Sequence, residues 1–158
     1  MEMEHEAGIA RKLLERVPED KFEWQPHEKS MTLGRLAGHV AETFEWTGAT
    51  IMQDVLDFAE MDYKPEPATS SAGLLEKFDT NIKAAIEILN GVSDEDIMKN
   101  WTMKDGDKTY MTMPKAAVMR GFVMNHMVHH RGQLSVYLRL LDIPVPQIYG
   151  PSADEPDM

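Results

Sequence analysis

The sequence predicts an all-α fold, a four-helix bundle with one long crossover connection. Three observations carry this reading: four stretches repeat apolar residues at the helix period, Pro- and Gly-bearing breaks separate them, and the link between the second and third is long enough to be a crossover. Four amphipathic helices bury their stripes most simply against one another.

The first helix is expected from about Met3 to Arg16, with Ile9, Leu13 and Val17 spaced by four, and Pro18 stops it. The segment PEDKFEWQPHEKSM has no sustained period and reads as a loop. Thr32 is a plausible N-cap for a second helix running toward Phe58, with Leu33, Leu36, Val40, Phe44, Thr47 and Ile51 as its apolar stripe and His39 at the stripe's edge. The link EMDYKPEPATSS ends that helix at Pro65 and Pro67 and supplies Ser and Thr caps for the third. The third helix is expected over about Ala72 to Asn90, stopped by Gly91. In WTMKDGDKTYMTM, Asp105-Gly106 lies between two short β-prone runs, which predicts a small hairpin before the last helix. Pro114 suits the first position of a fourth helix reaching about Leu141. From about residue 142 the Pro-rich tail DIPVPQIYGPSADEP has no helix; Ile148 and Tyr149 offer a way to dock it, and a mobile tail is the alternative.

Composition narrows the function classes. A length of 158 residues fits one domain, 1–158, with a core that needs no staples. Sixteen Lys and Arg against 27 Asp and Glu give a net charge of −11, and no basic patch overrides that field, so nucleic acid is not an expected partner. No apolar run is long enough to cross a bilayer, so no membrane role is expected. The opening MEMEHEAGIARKLLERV lacks a basic stretch followed by an apolar block, and the expected location is the cytoplasm. Cysteine is absent, which removes disulfides, thiolate ligands and a protein nucleophile, so any thiol chemistry needs a thiol from solution. Among the 13 methionines, Met119 and Met124 read as core fillers rather than ligands.

The chemistry-bearing segment is NHMVHHRGQL. His126 and His130 stand four residues apart, about 40° beyond one full turn and roughly 6 Å along the axis, so both imidazoles can reach one ion. Their face continues through Met119, Phe122, Gln133 and Tyr137, so the histidines occupy core-facing positions, where a neutral imidazole needs a partner on each ring nitrogen. Such a pair alone also arises from hydrogen-bonded core histidines. A third histidine on another helix shifts the reading: His39 sits in LAGHVAETFEW, where Ala37 and Gly38 allow a neighbouring helix close approach. Three ligands from two helices can then converge in the bundle core on one divalent transition metal, and three imidazoles suit zinc, nickel, copper and iron alike. The zincin motif is excluded, because Met127 stands where that motif places its glutamate. His129 is rotated by about 100° from His130 onto another face. His5 and His27 carry no expected role.

The segments GHVAETFEW, FEWQPHEKSMTLGRLAGH and NHMVHHRGQLSVYLRLL together resemble the DinB-like (YfiT-type) four-helix-bundle superfamily, over nearly the whole chain. The resemblance implies a divalent metal, often nickel or zinc, on the matching positions His39, His126 and His130. It also implies a homodimer and, in members of known activity, transferases and isomerases that use low-molecular-weight thiols such as bacillithiol or mycothiol. The family name refers to DNA-damage inducibility and implies no DNA chemistry.

The expected function is therefore a divalent-metal-dependent transferase that activates a low-molecular-weight thiol toward a small-molecule substrate. Three histidines leave a coordination position open, as catalytic sites do. Trp46 and Tyr137 are candidate pocket walls, with core packing as the plainer reading. Arg131 is a candidate for a thiol cofactor's carboxylate, with a solvated ion pair as the plainer reading. A metal-stabilised binding module without catalysis is the alternative function. A metal-dependent hydrolase ranks last, with Glu42, three residues after His39, as its general base.

Overall fold

The computed structural model describes residues 2–62, 64 and 67–157. Helix α1, Glu2–Leu14, buries Met3, Ala7, Ala10, Leu13 and Leu14, a stripe at the i, i+3, i+4 spacing. After Pro18 the chain turns tightly over Glu19–Lys21. Gly34 lets it close, since a Cβ there would lie 2.9 Å from the Phe22 side chain.

Helix α2, Leu33–Glu42, begins where expected, with the Thr32 hydroxyl accepting from Arg35 N at 3.2 Å. The helix expected to reach Phe58 does not. It tightens over Thr43–Glu45, where the Thr43 hydroxyl bonds back to the Val40 carbonyl, resumes as α3 over Trp46–Ile51, and then unwinds. The next residues form strand β1, Val55–Asp57. Of the two prolines expected to end this helix, Pro65 lies outside the described residues.

Helix α4, Ser71–Gly91, starts at the Ser70 cap and buries Leu74, Phe78 and Ala85. A one-turn helix α5, Asp94–Ile97, capped by Ser93, precedes strands β2, Asn100–Asp105, and β3, Lys108–Pro114. The predicted hairpin is present with its turn shifted by one residue. Asp105 pairs with Lys108, so the loop is Gly106-Asp107, and Gly106 takes the positive φ of 55° that the first position of such a turn requires. The all-α expectation is corrected by the third strand: β1 pairs in parallel with β2, giving the order β1-β2-β3. Period-based reading missed β1 because three residues hold no period. Long-range contacts make it a strand, with Thr102 N donating to Asp54 O at 2.9 Å and Leu56 buried beside Trp101 and Met103.

The last helix is interrupted. Helix α6, Lys115–Val118, passes into a π-helical turn over Met119–Met124, where Asn125 N reaches back five residues to Arg120 O, and α7 follows over Asn125–Leu140. Helices α1 and α2 each pack on both α4 and α7. The pairs Gly38–Ala68, Glu42–Lys77, Glu45–Asn81 and Gly48–Ile88 advance together, so α2 and α4 run parallel and the link between them is a crossover. Helix α7 runs antiparallel to α2, with Tyr137 on Met31 and His126 against His39.

The tail docks on the bundle. Val145 is buried, Ile148 packs against the main core, and Asp154 holds both Arg139 and the Val145 amide.

Candidate metal centre

The antiparallel packing of α2 on α7 brings His39 against His126 and His130. One nitrogen from each ring lies within 4.8 Å of the others. Two of them, His39 Nε2 and His126 Nε2, are 3.4 Å apart. Two imidazole nitrogens bound at about 2.0–2.1 Å with tetrahedral angles would sit about 3.3–3.4 Å apart, so this pair already has the spacing one ion demands.

Two of the three rings have an acceptor away from that centre, and the third has a carboxylate nearby. Gln133, one turn beyond His130, accepts from His130 Nδ1 at 2.7 Å. The Phe122 backbone, inside the π turn, accepts from the His126 ring. Glu42 Oε2 lies 3.8 Å from His39 Nδ1, too long for a hydrogen bond but close enough for its charge to orient the ring. Buried Nδ1 of His39 is otherwise without a partner. Acceptors of this kind fix the tautomer that points Nε2 inward and raise ligand basicity.

The electrostatics favour neutral imidazoles. Burial pushes the His130 pKa down to about 4, with the neighbouring His39, His126 and His129 adding to the effect and Gln133 opposing it. Burial, then His39 and His129, also lowers His126. At neutral pH both carry free lone pairs, the form a cation needs.

Glu42 is 2% exposed and bonds Arg35 at 3.1 Å and Lys77 at 3.2 Å. Burial alone would raise its pKa, but His39, Lys77 and Arg35 outweigh it and hold the carboxyl at about 2. Its two ion pairs leave it occupied by Arg35 and Lys77 rather than free to take a proton from water. Its carboxylate lies beside the His39 ring.

Arg131 corrects the reading of a solvated pair: it is 1% exposed, bonding Glu6 Oε2 at 2.7 Å and the Glu6 carbonyl at 3.0 Å. It also donates to the Tyr149 hydroxyl at 2.6 Å, which donates in turn to Glu6 at 2.7 Å. It is a tie between α1, α7 and the tail. Tyr137 stacks edge-on against Trp24 and bonds Met31 O, away from the histidines. Trp46 does approach the site, through Phe122, which contacts both Trp46 and His126. Met119 and Met124 are core residues, and His5, His27 and His129 are exposed. Sequence reasoning missed Lys77 and the orienting role of Gln133, although Gln133 was legible as i+3 from His130, the relation Glu42 bears to His39. A surface groove of about 550 Å³ beside Ile51, Ile88, Val92 and Lys115 is lined by none of the three histidines.

Comparison with known proteins matches residues 2–158 to the DinB family model. Two Bacillus subtilis (strain 168) proteins described as uncharacterized are similar: YrdA, 27% identical over 96% of this chain and 86% of its own, and YjoA, 22% identical over 84% and 81%. Among solved structures, a DinB-like protein from Bacillus cereus superposes with a TM-score of 0.72 at 20% identity, covering 92% of each chain. The structure of YjoA gives 0.69 at 20% identity, covering 92% of this chain and 94% of that one.

Proposed function

This chain belongs to the DinB family, and from that membership and its three convergent imidazoles we propose that it is a divalent-metal-dependent transferase acting on a low-molecular-weight thiol. The observation that carries the reading is the 3.4 Å approach of two Nε2 atoms beside a third imidazole, with Gln133 behind His130 and the Glu42 carboxylate near His39. Nickel or zinc fits the donor set.

A divalent cation bound there would supply Lewis acidity and would lower the pKa of a thiol beside it. His39, His126 and His130 would hold it, while Glu42, Gln133 and the Phe122 carbonyl keep the rings aimed. The chain has no cysteine, so the attacking sulfur comes from solution. In the transfer, a sulfur–carbon bond forms, the bond from carbon to the leaving group breaks with its electron pair going to that group, and the thiol proton passes to water. The reading includes a homodimer, favoured by Val136 and Leu140, which stand exposed along α7. Light scattering should then give about 36 kDa, twice the 18.0 kDa of one chain. No described helix is long and apolar enough to cross a membrane.

The test is plasma mass spectrometry of protein purified without chelator, followed by thiol consumption against a chromogenic electrophile. One metal per chain and acceleration that His126→Ala abolishes are expected. One metal per chain without acceleration by bacillithiol, mycothiol, glutathione, cysteine or coenzyme A would favour the non-catalytic binding module.

A further inference from the structure

Among the three imidazoles, His39 alone keeps the nitrogen turned away from the shared centre unmatched. Its Nδ1 is buried and without a hydrogen bond, although the Glu42 carboxylate that could accept from it stops at 3.8 Å. Buried polar nitrogens are nearly always matched, so the gap calls for a cause.

The cause lies on the same helix. Glu42 Oε2, the oxygen that faces His39 Nδ1, accepts from Arg35 Nη1 at 3.1 Å, and Oε1 accepts from Lys77 Nζ at 3.2 Å. Both oxygens are committed to cations, and Arg35 competes with His39 for the same one. Helix geometry makes the competition direct. Arg35, His39 and Glu42 stand at i, i+4 and i+7 of α2, within about 60° of one another around the axis, and the arginine must pass the turn that carries His39 to reach a carboxylate about 10 Å further along. A charged donor holds a carboxylate more strongly than a neutral imidazole N–H does, so Arg35 wins. The Arg35 side chain is 26% exposed against 2% for Glu42, so the guanidinium can turn into solvent while the carboxylate stays beside the ring.

Resting on the metal-binding part of the proposed function, we propose that Arg35 is a positioning residue for His39: its ion pair with Glu42 withholds the carboxylate from His39 Nδ1 and so limits the strength of the bond between Nε2 and the cation. With that pair opened, Glu42 accepts from Nδ1 and His39 becomes the stronger ligand. Lys77, on the other oxygen, keeps the buried carboxylate paired in either arrangement.

The test is a double-mutant cycle on zinc affinity, read by competition with a chelating dye in wild type, Arg35→Met, Glu42→Gln and the double variant. Arg35→Met should tighten binding about tenfold. In the Glu42→Gln background the same substitution should change affinity by less than about twofold, because the acceptor it would release is gone. Removing a cation near a metal tightens binding by charge alone, and an equal gain in both backgrounds would show that effect and overturn the proposal, as would an Arg35→Met affinity that is unchanged or weaker. A metal-free arm reads the positioning itself, through nitrogen-15 spectra of the imidazoles at neutral pH. In Arg35→Met, His39 Nδ1 should carry a slowly exchanging, hydrogen-bonded proton that wild type and the double variant lack. If wild type binds zinc and that proton does not appear, the positioning role fails and the metal reading stands. If the proton appears and none of the proteins binds zinc, the positioning of His39 by Arg35 is supported and the metal reading alone fails.

Discussion

His130 and Arg131 are neighbours on α7, about 100° apart around the helix, and both are buried, yet the bundle treats them in opposite ways. Arg131 keeps its charge and spends its donors inside the protein, on Glu6 and Tyr149. His130 gives up its charge, takes one neutral acceptor in Gln133, and turns its other nitrogen toward His39 and His126. One side of the helix closes its polar valences on itself. The other leaves lone pairs converging on a point. Burial of a polar group therefore does not by itself mark a functional site; the mark is what the group leaves unspent.

The comparison breaks most sharply at the two residues themselves. Arg131→Ala should cost about 3–5 kcal/mol by stranding Glu6, lowering the thermal midpoint by roughly 10 °C while leaving metal stoichiometry intact in the folded fraction. His130→Ala should do the reverse, abolishing metal binding by equilibrium dialysis with little change in the apo midpoint. If the two variants lose metal and stability in the same proportion, the division between the two faces is wrong.

A smaller effect is expected from pH on the metal-free protein. The pKa of His130 in the folded state, about 4, lies below its unfolded value of about 6.5, so the unfolded chain binds more protons between the two. The stability His130 contributes is present above pH 6.5 and lost as pH falls to about 4, by roughly 3 kcal/mol at most. Denaturant midpoints of wild type and His130→Ala across that range should converge toward neutral pH and separate below it, the variant becoming relatively more stable. Parallel curves would show that His130 is not held neutral by burial.

The surrounding partners sharpen the contrast further. Glu42→Gln removes the charge behind His39 and should weaken metal binding about 10- to 100-fold by competition with a chelating dye, with His39 itself intact. Tyr149→Phe removes both bonds of the hydroxyl that bridges Arg131 and Glu6 and should cost about 2 kcal/mol with no change in metal affinity. A change in metal affinity for Tyr149→Phe would mean that the two faces are coupled through α7.

Much of this was legible in local pattern. The Thr32 cap, a Ser/Thr cap for the third helix, the crossover and the hairpin follow from spacing and turn chemistry, the His126–His130 pair follows from helix spacing, and His39 joined it through its apolar context and the family resemblance. What was not legible depends on partners distant in sequence. Strand β1 exists because Trp101 and Thr102 draw residues 49–57 into their own layer, through Trp101 Nε1 on Ala49 O at 2.9 Å and Thr102 N on Asp54 O at 2.9 Å. The fate of Arg131 was decided by Glu6 and Tyr149, 125 and 18 residues away. The π turn before His126 left no periodic trace, since it adds one residue inside an otherwise helical run.

The central claim is that the three imidazoles, and not the buried carboxylate beside them, present the unspent valences. X-ray absorption at the metal edge of zinc- or nickel-loaded protein reads this directly. The account predicts three imidazole nitrogens at about 2.0–2.1 Å, seen through ring multiple scattering, with the remaining ligands from solvent or added thiol. A spectrum fitted by carboxylate oxygens with fewer than two imidazoles would place the ion elsewhere and contradict the account.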